Sequence, residues 1–355
     1  MKRLSLLINF LLIGVLLAAC AQPTASPTPT EPRVLRVITH SSFSLSEDVI
    51  RAFEQEHHAT VQFIKGGDTG TLLNQVILSK DNPPADVLYG IDNTFLSRAL
   101  AADLFVPYTP KALQAIPQEF QLDPQHRVVP VDFGDVCLNY DKAYFAEHKL
   151  EVPQSLADLT RPEYQGLLVI EDPSTSSPGL AFLLTTIATF GEEGYQGFWQ
   201  ALKANDVLIV NDWDTAYYTE FSGGAYSEGA RPLVVSYATS PAAEVYFSEG
   251  KLTTPPTGAV IAPGTCFRQI EFAGILKNGQ NRDLAEAFIE ALLGQRFQED
   301  IPLQMWVYPV LPEASLPPVF AEHGVIAQAP ARLDPQAIEQ NRERWIETWR
   351  SIMVP

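Results

Sequence analysis

"RVVPVDFGDVCLNYDKAYF", residues 127–145, divides this chain into two α/β series. One long extended run fills its first part, and a new helix begins at its end. Before it, "RVLRVITH" (33–40), "ATVQFIK" (59–65) and "ADVLYGID" (85–92) read as strands. "EDVIRAFEQEH", with Val49, Ile50 and Phe53 at helical spacing, "TLLNQVILSK" and "NTFLSRALAADLF" read as the helices that follow them. After it the alternation resumes, with "SLADLT" and "SPGLAFLLTTIATFG" among its helices and "GLLVIEDP", "DVLIVND" and "RPLVVSYATSP" as strands. Such alternation predicts parallel sheets with right-handed crossovers. A second unit therefore begins near residue 133. Sheets of this kind bind ligands beyond the carboxyl ends of their strands. That places "THSSFS", "GGDTG" and "GIDN" at one edge, with Asp92 at the mouth of its strand.

The first residues read as a leader rather than as fold. "MKRLSLLINFLLIGVLLAAC" has a basic start, an apolar run and small residues before Cys20. The run is short for a transmembrane anchor. Its ending, Leu17-Ala18-Ala19-Cys20, resembles the lipobox of bacterial lipoproteins, in which the cysteine is lipidated. An ordinary cleavable signal with a chance cysteine is the alternative. Residues 1–19 are thus expected to be a lipoprotein signal peptide. Residues 20–33 would be the lipidated Cys20 and a Pro/Thr-rich tether. The chain is expected outside the cytoplasm, in a periplasm or on the outer face of the cell membrane, held by lipid.

The net charge is −18, and losing Lys2 and Arg3 with the leader makes the remainder more acidic still. Such a chain is repelled by phosphate backbones, which argues against nucleic acid as partner. It weakly favours cationic ligands. Of three cysteines, Cys137 and Cys266 remain after lipidation. They suit one disulfide in an oxidising compartment, or two buried thiols, or a nucleophile in one case. No Cys/His spacing suggests zinc.

Two stretches carry ligand chemistry. In "NDWDTAYYTEF" (211–221), carboxylates flank an indole and two phenols follow. On a helix Trp213 and Tyr217 share one face, and Asp214 and Tyr218 the next. Rings beside carboxylates suit a flat organic cation. A surface helix whose aromatics dip into the core is the plainer reading. In "EDPSTSSPGLAFLL", Ser176 or Ser177 can cap a helix, Pro178 fits its first turn, and the free amides there can bind an anion.

Six stretches taken in order, "PADVLYGIDNTFLSRAL", "VPVDFGDVCLNYDK", "EDPSTSSPGLAFLL", "VNDWDTAYY", "VVSYATSP" and "QMWVYPV", resemble the thiamine-binding proteins of bacterial ABC importers. These are extracytoplasmic solute-binding proteins related to ferric-iron and polyamine carriers. The resemblance implies an α/β, two-lobed, type II periplasmic-binding-protein-like fold. Its hinge strands would run through Val131–Leu138 and near Thr265–Ile270. Lobe 1 would take residues 34–132 plus about 264–300. Lobe 2 would take about 133–263 plus 301–355. The resemblance would then put Cys137 and Cys266 on adjacent hinge strands, which favours the disulfide.

The resemblance also implies a site. Trp213, Tyr237 and Trp306 match the family's ring positions, and Tyr217 and Tyr308 fall in the same motifs. Asp68 matches an acidic loop position, and Ser176 and Ser177 a loop that meets the hydroxyl or phosphate end. Ser42 stands in a first-strand loop where many members have Asp-Ser-Phe followed by a tryptophan. Here the loop is Ser41-Ser42-Phe43 with no tryptophan nearby, so a carboxylate and one wall must come from elsewhere. The implied protein is a monomeric receptor without cofactor or bound metal. Its ligand would be thiamine or a thiamine phosphate, and its partners an ABC permease with its ATPase. Two rivals differ in chemistry: a ferric-iron carrier using Tyr217, Tyr218 and His40, and a thiaminase-like transferase using Cys137.

Overall fold

Strands buried on both faces set the frame. The chain forms β1 (Arg33–Thr39), α1 (Glu47–His57), β2 (Ala59–Lys65), α2 (Thr69–Leu78), β3 (Val87–Asp92), α3 (Leu96–Ala101) and β4 (Phe105–Val106). The computed structural model describes residues 32–225 and 227–354. The expected signal peptide, Cys20 and the tether as far as residue 31 lie outside the described residues. β1 and β3 pair in parallel, with Val37 opposite Val87, and every residue of β3 is buried. Burial on both sides is why these strands read as nearly unbroken apolar runs. α1 turns Phe53 inward and leaves Arg51 and Glu56 in solvent, as its spacing requires.

β5 (Val129–Asp141) is the long run that divided the sequence. Then come α4 (Lys142–His148), β6 (Leu168–Glu171), α5 (Ser177–Ala204), β7 (Leu208–Val210), β8 (Leu233–Tyr237), α6 (Ser240–Phe247) and β9 (Thr257–Val260). The chain ends through β10 (Phe267–Leu276), α7 (Arg282–Leu292), α8 (Gln295–Met305), β11 (Tyr308–Pro309), α9 (Pro318–His323) and α10 (Pro335–Met353). The helix expected in "SLADLT" is a short 3₁₀ segment, Leu156–Thr160, fixed by a capping box between Ser155 and Asp158. The helix read in "SPGLAFLLTTIATFG" starts at Ser177 and breaks at Gly191, whose φ is 74°, where a second helical segment takes over as far as Ala204; α5 denotes both.

The strands form one mixed sheet in the order β2-β1-β3-β10-β5-β8-β6-β7. β5 and β10 connect its two halves. The first part of β5 runs antiparallel to β10, and its second part pairs with β8 and β9. Val136 faces Phe267 in this ladder, so Cys137 and Cys266 are the next residues along. They are joined by a disulfide. Beside it, Asp135 accepts two hydrogen bonds from Arg268, both at 2.9 Å, and one from the Ala327 amide at 2.7 Å. α10 packs on α5, burying Ile338, Trp345, Ile346 and Trp349, with Trp349 edge-on to Trp199 at 5.7 Å.

Candidate functional site

A cavity of about 350 Å³ opens where the loops after several strands converge. His40 and Ser42 come from the loop after β1, and Asp68 and Thr69 from the start of α2. Ser177 and Pro178 open α5, and Trp213, Tyr217 and Tyr218 follow β7. Tyr237, Ser240, Ala243, Glu244 and Phe247 come from β8 and α6, Glu271 from β10, and Gln304 to Val307 from the end of α8. Its volume lies within the roughly 300–1,000 Å³ of small-molecule sites.

One wall is aromatic. Residues Thr215–Glu220 form a π-helix, closed by the Phe221 amide on the Ala216 carbonyl. This wider winding brings ring pairs both four and five residues apart into contact. Trp213 stacks on Tyr217 at 5.1 Å and 19°, meets Tyr218 edge-on at 5.3 Å, and lies 6.4 Å from Tyr237. The faces expected to separate Tyr217 from Tyr218 are therefore merged. Hydrogen bonds fix three of these rings. The Trp213 indole donates to Ser236 Oγ at 2.9 Å, Tyr217 to Glu244 at 2.7 Å, and Tyr237 to Gln269 at 2.8 Å. Gly134 makes room for the wall, since a Cβ there would stand 2.9 Å from the Tyr237 ring. Trp306 sits at the rim in a left-handed conformation, φ 57°, against Tyr246 and Phe247. The Thr239 hydroxyl holds its carbonyl.

Acids supply the rest. Asp68 accepts the Trp213 amide at 3.2 Å and the Ser41 hydroxyl at 3.4 Å, so it links two loops distant in sequence. Burial raises its pKa, as it does for Glu244. Glu271 is pushed up to about 8, by burial first and then by the Asp92 charge. It forms a buried acid pair with Asp132, which burial and the Glu271 charge also raise well above the usual carboxylate range. Tyr89 donates to Asp132. Glu171 is fully buried, neither of its oxygens has a partner among the described residues, and burial holds it well above the carboxylate range. At the mouth, Ser42 donates to Asp214 at 3.3 Å.

Nearby basic groups are engaged or neutral. Lys65 donates to the Ser41 and Phe43 carbonyls. His40 lies 3.5 Å from Glu271, but burial lowers its pKa. Gly90, φ 96°, lets that imidazole pass, because a Cβ would lie 2.3 Å from it.

Of the residues singled out in the sequence, Trp213, Tyr217, Tyr237, Trp306, Asp68, Ser177 and Ser42 line this cavity. Three do not. Tyr308 packs between Phe133 and Phe320, at 5.4 and 4.8 Å, because β11 pairs with β5 and turns it inward. Asp92 lies beneath the cavity floor and accepts the Ser177 hydroxyl. Ser176 is buried behind it, facing Asp68 beyond hydrogen-bond geometry, and neither serine caps α5 through its side chain.

Sequence reading missed Glu244, Glu271 and Phe247, and it placed Tyr218 in the aromatic cluster without matching it to the family's site. Glu271 had a signal, being a lone acid in the apolar strand "FRQIEFAGIL". Glu244 had none, since one acid in a helix is ordinary. Cys137 is 2% exposed and bonded to Cys266, so it offers no thiolate for attack. The nucleophile reading of Cys137 is corrected on that ground.

A family model described as bacterial extracellular solute-binding protein matches residues 82–341. Thiamine-binding periplasmic proteins of Salmonella typhimurium and Escherichia coli are each 30% identical, covering 94% of this chain and 96% of their own. That of Brucella suis is 29% identical, with 98% of both chains covered. Among solved structures, a periplasmic thiamin binding protein superposes with a TM-score of 0.79 at 27% identity, over 92% of this chain and 100% of its own. Iron-bound HitA from Pseudomonas aeruginosa shares the fold, with a TM-score of 0.72 at 21% identity, over 90% of this chain and 99% of its own. The architecture is thus the two-lobed type II periplasmic-binding-protein fold, and no helix among the described residues is long and apolar enough to cross a membrane. Fold, cleft and matched sequence agree: the chain belongs to the bacterial extracellular solute-binding proteins.

Proposed function

We propose that this chain captures thiamine in its cleft and delivers it to the permease and ATPase of an ABC importer, without chemical change to the ligand. One observation carries the reading. The rings of Trp213, Tyr217, Tyr218 and Tyr237 face the same cavity as Asp68, Glu244 and Glu271, acids that burial pushes toward the neutral form. A bound cation relieves that cost. The thiazolium is a permanent cation on an aromatic ring, so it satisfies both walls at once. Each desolvated cation–π contact contributes about 0.5–2 kcal/mol. Two or three give about 1–6 kcal/mol, to which a charge pair adds, against the roughly 8 kcal/mol that micromolar binding requires.

Further support comes from the two loops that Asp68 and Ser42 tie together across the cleft. Asp214 brings to the Ser41-Ser42-Phe43 loop a carboxylate that the loop itself lacks. We assign lobe 1 to residues 34–132 with about 264–300, and lobe 2 to about 133–263 with 301–355. β5 and β10 would serve as the hinge. The receptor acts as a monomer, anchored outside the cytoplasm through lipidated Cys20.

Iron is the weaker ligand. A phenolate ligand must lose its proton, yet burial raises Tyr217 well above the usual phenol value and Tyr218 to about 12. Calorimetry against thiamine, spermidine and ferric citrate separates the readings. Sub-micromolar thiamine binding with no heat from the others supports the proposal. Heat from iron alone, with a purple-red phenolate band, overturns it.

A further inference from the structure

Within "GGDTG" (66–70), Asp68 and Thr69 line the cavity and Gly70 does not. Gly70 is the second residue of α2, buried and without a left-handed φ, so its own backbone does not call for glycine. What calls for it lies across the cleft. In the lobe assignment proposed above, α2 belongs to lobe 1 and the loop before α5 to lobe 2. The Gly70 amide donates to the Thr175 carbonyl of that loop at 3.1 Å. The first amides of a helix lack partners within it. Asp68, just ahead of α2, does not cap them through its side chain, because its carboxylate accepts the Trp213 amide instead. Lobe 2 thus caps a helix of lobe 1, backbone to backbone. The approach leaves no space for a side chain: a Cβ on residue 70 would stand 2.7 Å from the Ser174 carbonyl oxygen and 2.8 Å from that of Thr175. Nor is this loop free to give way. Ser174 donates its amide and its hydroxyl to Asp172, at 2.7 and 2.6 Å, and the Thr175 hydroxyl reaches the Asn211 carbonyl at 2.7 Å.

We infer that Gly70 is a closure residue: its bare backbone lets lobe 1 seat on lobe 2 around a bound ligand, and the contact parts when the lobes open. The inference rests on the thiamine reading above and adds to it the step that completes capture. Gly70 is a positioning residue, acting through the lobes rather than on the ligand. In the open form its amide turns to water, and the three atoms nearest an added Cβ, all from the Ser174–Thr175 loop, are withdrawn. Alanine is then the better helix former. In the closed form the same methyl is driven against fixed backbone. The substitution therefore penalises one state only, and apparent affinity falls with the fraction of molecules able to close.

The test compares full-chain wild type with Gly70→Ala by thermal melts without ligand, calorimetry with thiamine, and small-angle X-ray scattering with and without saturating thiamine. The variant should melt no lower than wild type when free. It should bind thiamine at least roughly tenfold more weakly, a difference of about 1.4 kcal/mol. At saturation it should stay less compact than wild type. Binding as tight as wild type would overturn the inference. A lower melting temperature without ligand would do the same, since the contact would then be permanent. Weaker binding with full compaction would place the loss in the pocket and remove the closure role. Hydrogen exchange on wild type needs no variant: thiamine should slow exchange of the Gly70 amide, and equal exchange with and without it refutes the assignment. A wild type that binds no thiamine removes the parent reading and the closure role together, whereas the other adverse results remove the closure role alone.

Discussion

Replacing Trp213 by alanine removes the central ring of the proposed cage. The indole touches Tyr217 and Tyr218 at 5.1 and 5.3 Å and anchors itself on Ser236. Its own contact with a desolvated cation contributes about 1–2 kcal/mol. Its stack on Tyr217, which orients that phenol toward the cavity, contributes about 0.5–1.5 kcal/mol more. The loss of about 1.5–3.5 kcal/mol corresponds to a roughly 10- to 300-fold weaker thiamine Kd. Trp213→Phe keeps a ring at the position and loses the indole hydrogen bond, so it should weaken binding only about fivefold, about 1 kcal/mol. Calorimetry measures both, with thermal melts to establish that each variant folds. Tryptophan fluorescence gives an independent reading. Of five tryptophans, Trp199, Trp345 and Trp349 are at most 1% exposed in the packing between α5 and α10. Ligand quenching should therefore come from Trp213 and Trp306, and Trp213→Phe should lose much of it. A folded alanine variant that binds thiamine within threefold of wild type refutes the cage.

Glu271 makes stability depend on pH. Its native pKa, raised from 4.5 to about 8, means that the folded chain keeps a proton the unfolded chain has lost. Its contribution is neutral below about 4.5 and becomes increasingly destabilising up to about 8. Glu271→Gln should thus stabilise by about 2–4 kcal/mol more at pH 8 than at pH 5 in denaturant titrations, and a pH-independent difference would refute this. The Cys137–Cys266 bridge closes a separation of 129 residues. Replacing both with alanine should cost about 3–5 kcal/mol in urea unfolding, and unchanged stability would contradict the constraint. Gly134→Ala pushes against Tyr237 and Val307, at 2.9 and 3.1 Å. It should cost about 1–3 kcal/mol of stability and weaken thiamine binding several-fold, with both values unchanged if the ring is free to shift.

Alternating apolar strands and amphipathic helices were legible because their pattern is local: β1, α1, β2, α2 and β3 all fall where the sequence places them. The long run through Val131–Leu138 was legible as the divide between two α/β series for the same reason, since β5 extends over thirteen residues before the next helix begins. Seven of the ten residues singled out for ligand binding lie on the cavity, because motifs keep rings and acids together along the chain.

The remaining features depended on tertiary contacts. Nothing local distinguishes a π-helix from an α-helix in "TAYYTE", and only the extra residue per turn sets Tyr217 and Tyr218 against one indole. Tyr308 sits in a motif beside Trp306, yet its pairing with Phe133 turns it into the core. Glu244 and Glu271 reach the cavity from elements far apart in sequence, and burial there, not residue type, raises their pKa values. The amino-acid pattern by itself determined which segments extend, which coil and where aromatic and acidic groups cluster, since those follow from neighbours along the chain. Which of those groups converge on one cleft, and in what charge state, was decided by sheet order and loop closure, because desolvation and contact belong to the assembled fold.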